Sequence, residues 1–256
     1  MINAPVVAKL IRRSQELIGE YQEKLRPEEA VLSFNKVTGY SVNFPIFGTC
    51  KPTKVCASRC YYAKGGPSWP AALKKQQRTV NSVKNDPQAI AKRIIQECSK
   101  KKVTFLRWNG GGDLFPESIE ALHFVAEGLP TLPIWVVTRI PEMAAKVKNY
   151  SNVFVHFSLD RASLDRKSKM ESLPKLTKNL FYSYQCDKEE MPNIENLTGV
   201  SVLFFDKYEP HGKWRWINKE IICPLNTRED ISNTCESCRR CFNREAVEYY
   251  QKNNRK

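Results

Sequence analysis

The sequence predicts an α/β protein, a partial (β/α)6 TIM-like barrel with a small Cys-rich C-terminal appendage. Three observations predict it. Apolar, β-rich runs alternate with helical segments from about residue 30 to 205, the rhythm of parallel strands joined by helical crossovers. Roughly six such units fit, too few for a closed eight-fold barrel, which leaves a partial barrel or an open doubly wound sheet. Residues 206–256 break the rhythm and gather cysteines.

The elements follow in order. Residues 1–29 read as an amphipathic helix, with Lys9, Arg12 and Arg13 interrupting the apolar positions, so the segment does not read as a signal peptide. Residues 30–46 carry a strand signal with a turn at Thr38–Gly39. Helices are expected near 69–84 and 87–100, the second opened by Asp86 followed by Pro87, a cap and a pre-set first turn. A strand over 103–108 leads into the glycine turn NGGGD. A helix over 116–127 places Ile119, Leu122 and Val125 on one face, and Gly128 can close it. Strand 134–138 is followed by a helix over 141–149, strand 153–159 by a polar helix near 162–172, and strands 179–184 and 199–205 complete the repeat. The domain reading is therefore 1–29, 30–205 and 206–256.

Composition narrows the class. Of 256 residues 41% are apolar, enough for a sizeable core, so global disorder is excluded. No run of 18 uncharged apolar residues exists, so no membrane-spanning helix is expected and a cytosolic location is. Lys and Arg exceed Asp and Glu by 14, a surface that attracts polyanions such as nucleic acid or serves solubility alone. Residues 64–102 hold ten basic side chains and two acidic ones, Asp86 and Glu97. The basic C-terminal stretch carries Tyr249 and Tyr250, and KWRW at 213–216 alternates bases with tryptophans, a pattern for stacking on nucleotides or for a half-buried hairpin.

Nine cysteines, an odd number in a reducing compartment, argue against a disulfide framework. Cys98 and Cys186 stand alone and read as small buried hydrophobes. Cys50, Cys56 and Cys60 form one group; Cys223, Cys235, Cys238 and Cys241 form a second. Thiolates at such spacing are costly unless a soft metal takes their charge. Three ligands leave a 4Fe–4S cluster one open iron, whereas four close a site. The C-x2-C-x2-C run with remote Cys223 suits ferredoxin-type iron–sulfur ligation, with structural zinc as the rival. Ligands of parallel β/α folds sit at the C-terminal strand ends. The first cysteines fall there, as do Gly110, Gly111, Gly112 and Asp113, then Thr138 and Arg139, Ser158 and Asp160, and Tyr184, Gln185 and Cys186. Asp160, Asp165 and Asp187 read as polar contacts or surface groups, His123 and His156 as ordinary side chains, and His211 as a loop residue without a supported role. No Ser/His/Asp order, phosphate-binding loop or zinc-protease motif appears.

The stretch Cys56–Ala63 resembles the radical S-adenosylmethionine motif C-x3-C-x2-C. Cys56 and Cys60 match its first two cysteines and Tyr62 its aromatic, which in that family lies by the adenine. Ala63 stands at the last cysteine position, and Cys50 could supply the third ligand from the other side. Gly110–Asp113 resembles the family's glycine-rich turn, whose acidic residue receives the methionine ammonium. Thr138 and Ser158 lie in stretches similar to its third and fourth strand endings. Closer still, FGTCKPTKVCASRCYYAKGG, RWNGGGDLF and the terminal CPLNT and TCESCRRCF resemble the phage-encoded gene product 88 family. A sister group of phage proteins resembles radical enzymes such as spore photoproduct lyase, which makes nucleic acid a sensible substrate class.

These resemblances imply one or two 4Fe–4S clusters, S-adenosylmethionine, an electron donor and a place in a host cytoplasm. Zinc remains the other candidate at the C-terminal cysteines. The expected function is reductive cleavage of S-adenosylmethionine directed at a nucleic acid or phage-related substrate. The alternatives are a non-catalytic nucleic-acid-binding protein with structural iron–sulfur or zinc centres and a zinc-only interaction module. The substrate and oligomeric state are not specified.

Overall fold

A computed structural model of the chain describes residues 21–46, 48–58, 60–63, 66–164, 173–175, 177–186, 200–204, 223, 234–243 and 245, with Arg12 and Glu16 exposed in a helix. Residues 21–26 are not helical, so the N-terminal helix ends before the expected residue 29. His211, residues 213–216, Asp165, Asp187, Tyr249 and Tyr250 lie outside the described residues.

The chain opens with a hairpin of β1 (Ser33–Asn35) and β2 (Gly39–Ser41). The Asn35 carboxamide oxygen accepts from the Val37 and Thr38 N–H groups at 2.8 and 3.0 Å, and Gly39 takes a φ of +72° to finish the turn. A short helix α1 (Lys54–Ser58) precedes the long pair α2 (Pro70–Asn85) and α3 (Pro87–Lys100). The Asp86 side chain caps α3 by accepting from Ala89 N–H at 2.8 Å, as its sequence signature predicts.

Strand β3 (Leu106–Trp108) is shorter than expected, because the chain leaves α3 through Lys102 at a φ of +50° and uses the intervening residues to turn. Then follow α4 (Pro116–Gly128), β4 (Ile134–Thr138), α5 (Pro141–Ala144), β5 (Val153–Leu159), α6 (Arg161–Leu164), β6 (Leu180–Gln185) and β7 (Val200–Phe204). Helix α5 stops early: Lys146 and Val147 N–H groups bond to Met143 and Ala144 oxygens three residues back, tightening the chain into turns. Helix α7 (Cys235–Cys238) and a 3-10 turn (Arg240–Phe242) follow. Gly128 lies inside α4 and does not supply a left-handed cap. A Cβ there would sit 2.5 Å from Ile95 Cδ1, so the glycine permits close packing of α4 on α3.

The sheet has seven strands in the order β1-β2-β3-β4-β5-β6-β7, antiparallel for the first pair and parallel thereafter. Each new strand adds to the same side. Right-handed crossovers then put the helices on one face, and the order has no reversal, which excludes the doubly wound alternative. The sheet is open, with no β1–β7 ladder. Alternation along the strands gives each face its own core. Leu106, Trp108, Val136, Val155 and Leu159 pack with Val80, Ile94, Leu122 and Val125 of the helices. Phe105, Trp135, Phe154 and Phe181 pack on the other side with Phe242 from the C-terminal segment. Burial on both faces is why the strands read as continuous apolar runs.

Candidate functional site

Four parallel strands end in one polar network. The Asp160 carboxylate, just beyond β5, is fully buried. Its Oδ2 accepts from Arg139 at 2.7 Å and from the Thr53 hydroxyl, and its Oδ1 accepts from Ser163 N–H and Oγ at 3.0 Å each. The same guanidinium, beyond β4, donates to Gln185 Oε1 at the end of β6, at 3.0 Å. Arg139 is 11% exposed at its side chain and Asp160 0%, so this pair is shielded from solvent screening. Thr53 also accepts from Cys56 N–H at 3.1 Å, which ties the first turn of α1, and Cys56 with it, to the strand ends.

Asp113, after β3, forms the second part of the network. Its Oδ1 accepts from the Thr138 hydroxyl at 2.6 Å and Leu114 N–H at 2.7 Å, and its Oδ2 from Arg139 N–H at 3.0 Å. Burial pushes the carboxyl up to about 6, against these donors and the Arg139 charge, which favour ionisation. The preceding glycines are required by close approach. At Gly110 a Cβ would lie 2.5 Å from Asn43 Oδ1, and at Gly111 it would run into the Tyr62 ring. At Gly112, where φ is +79°, it would lie 2.6 Å from both Phe44 Cβ and Thr49 Oγ1. Tyr62 therefore fills the space over the bend.

The first cysteine group meets this bend through Tyr62, whose ring sits on Gly111. Burial pushes the Cys56 thiol up, Arg139 opposes that shift, and Cys60, Asp160 and Asp113 reinforce it. Cys56 reaches Asp160 through Thr53, which accepts from its N–H and donates to that carboxylate. Cys50 and Cys60 both pack against the small cluster of Ile46, Tyr62 and Ala63. Ser158 is buried on β5, opposite Ser183 of β6.

The second cysteine group lies against the face opposite the helices. His156 Nε2 bonds to the Cys241 carbonyl oxygen at 2.8 Å, and Phe242 stacks on Phe105 with centroids 4.4 Å apart. Burial raises the Cys241 thiol, Cys223, Cys235 and Cys238 raise it further, and Arg107 opposes them. Arg107 also neighbours Cys235. Its guanidinium donates to the Tyr61 hydroxyl and lies 4.8 Å from the Trp135 ring centroid, while Tyr61, which directly follows Cys60, donates to Gly110 O at 2.9 Å. Arg107 and Tyr61 thus link the two groups. Donor chemistry suits a thiophilic metal at both. As the side chains stand, no group of three or more His, Cys, Asp or Glu among the described residues is arranged to hold a metal ion.

The structure brings Tyr62, Gly110–Asp113, Thr138 and Cys56 to one mouth, and packs Cys235 and Cys241 against the aromatic cluster on the other face of the sheet. Thr53, Tyr61 and Arg107 have roles that sequence reasoning missed. A threonine three residues before Cys56 is a helix-cap signal, and an arginine inside the apolar run FLRW is a buried-charge signal. Among the described residues no helix is long and apolar enough to cross a membrane.

A family model described as Gene product 88 matches residues 9–244. No curated protein and no solved structure matches the chain.

Proposed function

The chain belongs to the gene product 88 family, and from that starting point we propose that it is a radical S-adenosylmethionine-type iron–sulfur protein acting on nucleic acid. The observation that carries this reading is the tie from Cys56 N–H through the Thr53 hydroxyl to Asp160 and its partner Arg139, which joins a cysteine of the first group to the polar network at the C-terminal strand ends. Cys50, Cys56 and Cys60 would hold a 4Fe–4S cluster, which when bound supplies an electron to S-adenosylmethionine. Gly110, Gly111 and Gly112 offer backbone to a ligand, and Asp113 offers a carboxylate to an ammonium. Thr138 orients that carboxylate and Ser158 adds a hydroxyl on the neighbouring strand. Arg139 offsets thiolate charge. Tyr62 must swing off Gly111 for a ligand to reach the bend, and its ring is then available to lie by a planar base. The sequential strand order supports a partial (β/α)6 barrel as the frame. The remaining partner is a reductant, and the net charge of +14 supports a polyanionic substrate.

A second reading is a non-catalytic nucleic-acid-binding protein with structural metal–thiolate centres. The seat of Tyr62 on the bend and the three donors already on Asp113 favour it. Anaerobic purification with iron and sulfide assays, then reduction in the presence of S-adenosylmethionine, separates the two. The enzyme reading expects iron at the first cysteines and release of 5′-deoxyadenosine. Zinc without iron overturns it.

A further inference from the structure

Two lysines of the basic run over residues 64–102 converge on the opening hairpin. Lys75, in α2, donates its Nζ to Leu32 O at 3.3 Å and to Ser33 Oγ at 3.4 Å, at the start of β1. Lys101, one residue past α3, holds its Nζ 5.6 Å from the centroid of the Tyr40 ring in β2. Phe34 stands between these two contacts. It pairs with Tyr40 across the hairpin, so the two rings share a face, with centroids 4.8 Å apart and planes tilted by 49°. Tyr40 is half-buried and packs against the helix-side core. Phe34 is 64% exposed, on a strand with no neighbour beyond it.

A lone exposed phenylalanine is ordinary; one set among unpaired cations is a surface for a partner. Lys36, in the same hairpin, is exposed, as are Lys100 and Lys102 on either side of Lys101. No ion pair ties Lys75 or Lys101 among the described residues. The carboxylate of Glu97 is turned to the Val31 and Leu32 N–H groups at 2.6 and 3.2 Å. An apolar ring rimmed by ammonium groups matches a ligand with planar faces strung on negative charge. A duplex hides its base faces, so the match is to a single strand. The strand edge is three residues long, which gives an added peptide strand little to pair with.

We propose that the outer face of the β1–β2 hairpin is a docking surface for single-stranded nucleic acid, with a base stacked on Phe34 and phosphates held by Lys75 and Lys101. This rests on the nucleic-acid part of the reading above, and on neither S-adenosylmethionine nor a metal. Tyr40 pairs with Leu106, the first residue of β3, so the surface lies at the N-terminal ends of the parallel strands, away from the bend with Asp113. It therefore grips the strand and takes no part in chemistry at the mouth.

The test is fluorescence anisotropy on the full chain with a labelled single strand of mixed sequence, about twelve nucleotides long, as DNA and as RNA. Phe34→Leu keeps the position apolar and removes the aromatic face. It is expected to weaken binding about tenfold with an unchanged salt slope, and Phe34→Trp to retain it. Lys75→Gln and Lys101→Gln are each expected to weaken binding and to lower the salt slope by about 0.7, and unchanged slopes in both overturn the phosphate contacts. A duplex of the same length is expected to compete about tenfold more weakly. Because Phe34 is exposed, Phe34→Leu is expected to unfold at the native temperature. Should it fail to fold, Phe34→Trp gives the same reading, since its indole emission is expected to change when the strand binds, and an unchanged emission overturns the stacking. Native affinity in Phe34→Leu, or equal competition by the duplex, overturns the surface and leaves the proposed function standing. A chain that binds neither probe overturns the surface together with the nucleic-acid part of that function. S-adenosylmethionine enters none of these readouts, so failure of its cleavage leaves the surface standing.

Discussion

Asp113 and His156 are buried titratable groups that pull stability in opposite directions with pH. Burial holds the Asp113 carboxyl up to about 6 against its usual 3.8, so the folded chain retains a proton that the unfolded chain has lost. That contribution is complete below the unfolded value and disappears as pH rises through about 6. Burial holds the His156 imidazole down to about 4 from 6.5, despite its bond to the Cys241 carbonyl. Its contribution is complete above 6.5 and disappears as pH falls through about 4. Each is worth on the order of 2–3 kcal/mol. Urea unfolding from pH 4 to 7 is expected to show a shallow profile for the native chain, because the two slopes oppose. Asp113→Asn unmasks loss towards acid pH, and His156→Gln unmasks loss towards neutral pH. Either variant with the native profile contradicts the assignment.

At the level of elements, the bend after β3 ranks its own glycines. Gly112→Ala meets both a positive φ and the Phe44 backbone carbon at 2.9 Å, neither of which yields cheaply, and is expected to cost about 2–3 kcal/mol in thermal or chemical unfolding. Gly111→Ala meets only the Tyr62 ring, a side chain that can swing, so a smaller loss is expected, with a changed Tyr62 environment by fluorescence or NMR. Equal costs would show that the ring is as fixed as the backbone. These elements were legible where their causes are local. The Asp86–Pro87 start of α3 and the apolar runs of β4 and β5 are read within a few residues and match the structure. The site was legible in its cysteines and bend but not in its wiring. Thr53 and Asp160 are 107 residues apart and Arg139 and Asp160 21, and no local pattern declares such partners. Gly128 misled because a glycine at a helix end usually marks a cap, whereas here it lies against the Ile95 side chain of the neighbouring helix.

For the whole molecule, the excess of 14 positive charges makes any nucleic-acid affinity salt-dependent. Binding of a single-stranded DNA or RNA probe is expected to weaken about a thousandfold between roughly 50 and 200 mM salt, and a flat response would remove the electrostatic argument. The sequential strand order has a further effect on the order of assembly. Most strand partners are consecutive along the chain, but Thr104 bonds to Glu236 132 residues later, and Phe105 waits for Phe242. During synthesis on a ribosome, Phe105, Trp135, Phe154 and Phe181 emerge well before the strip that covers them. A chain stopped at residue 222 is expected to bind a hydrophobic dye and to aggregate while the whole chain stays dispersed. The nascent protein thus carries a bare greasy trough until residues 235–242 have emerged, and a chaperone that shelters the trough for that interval would decide how much of it survives birth.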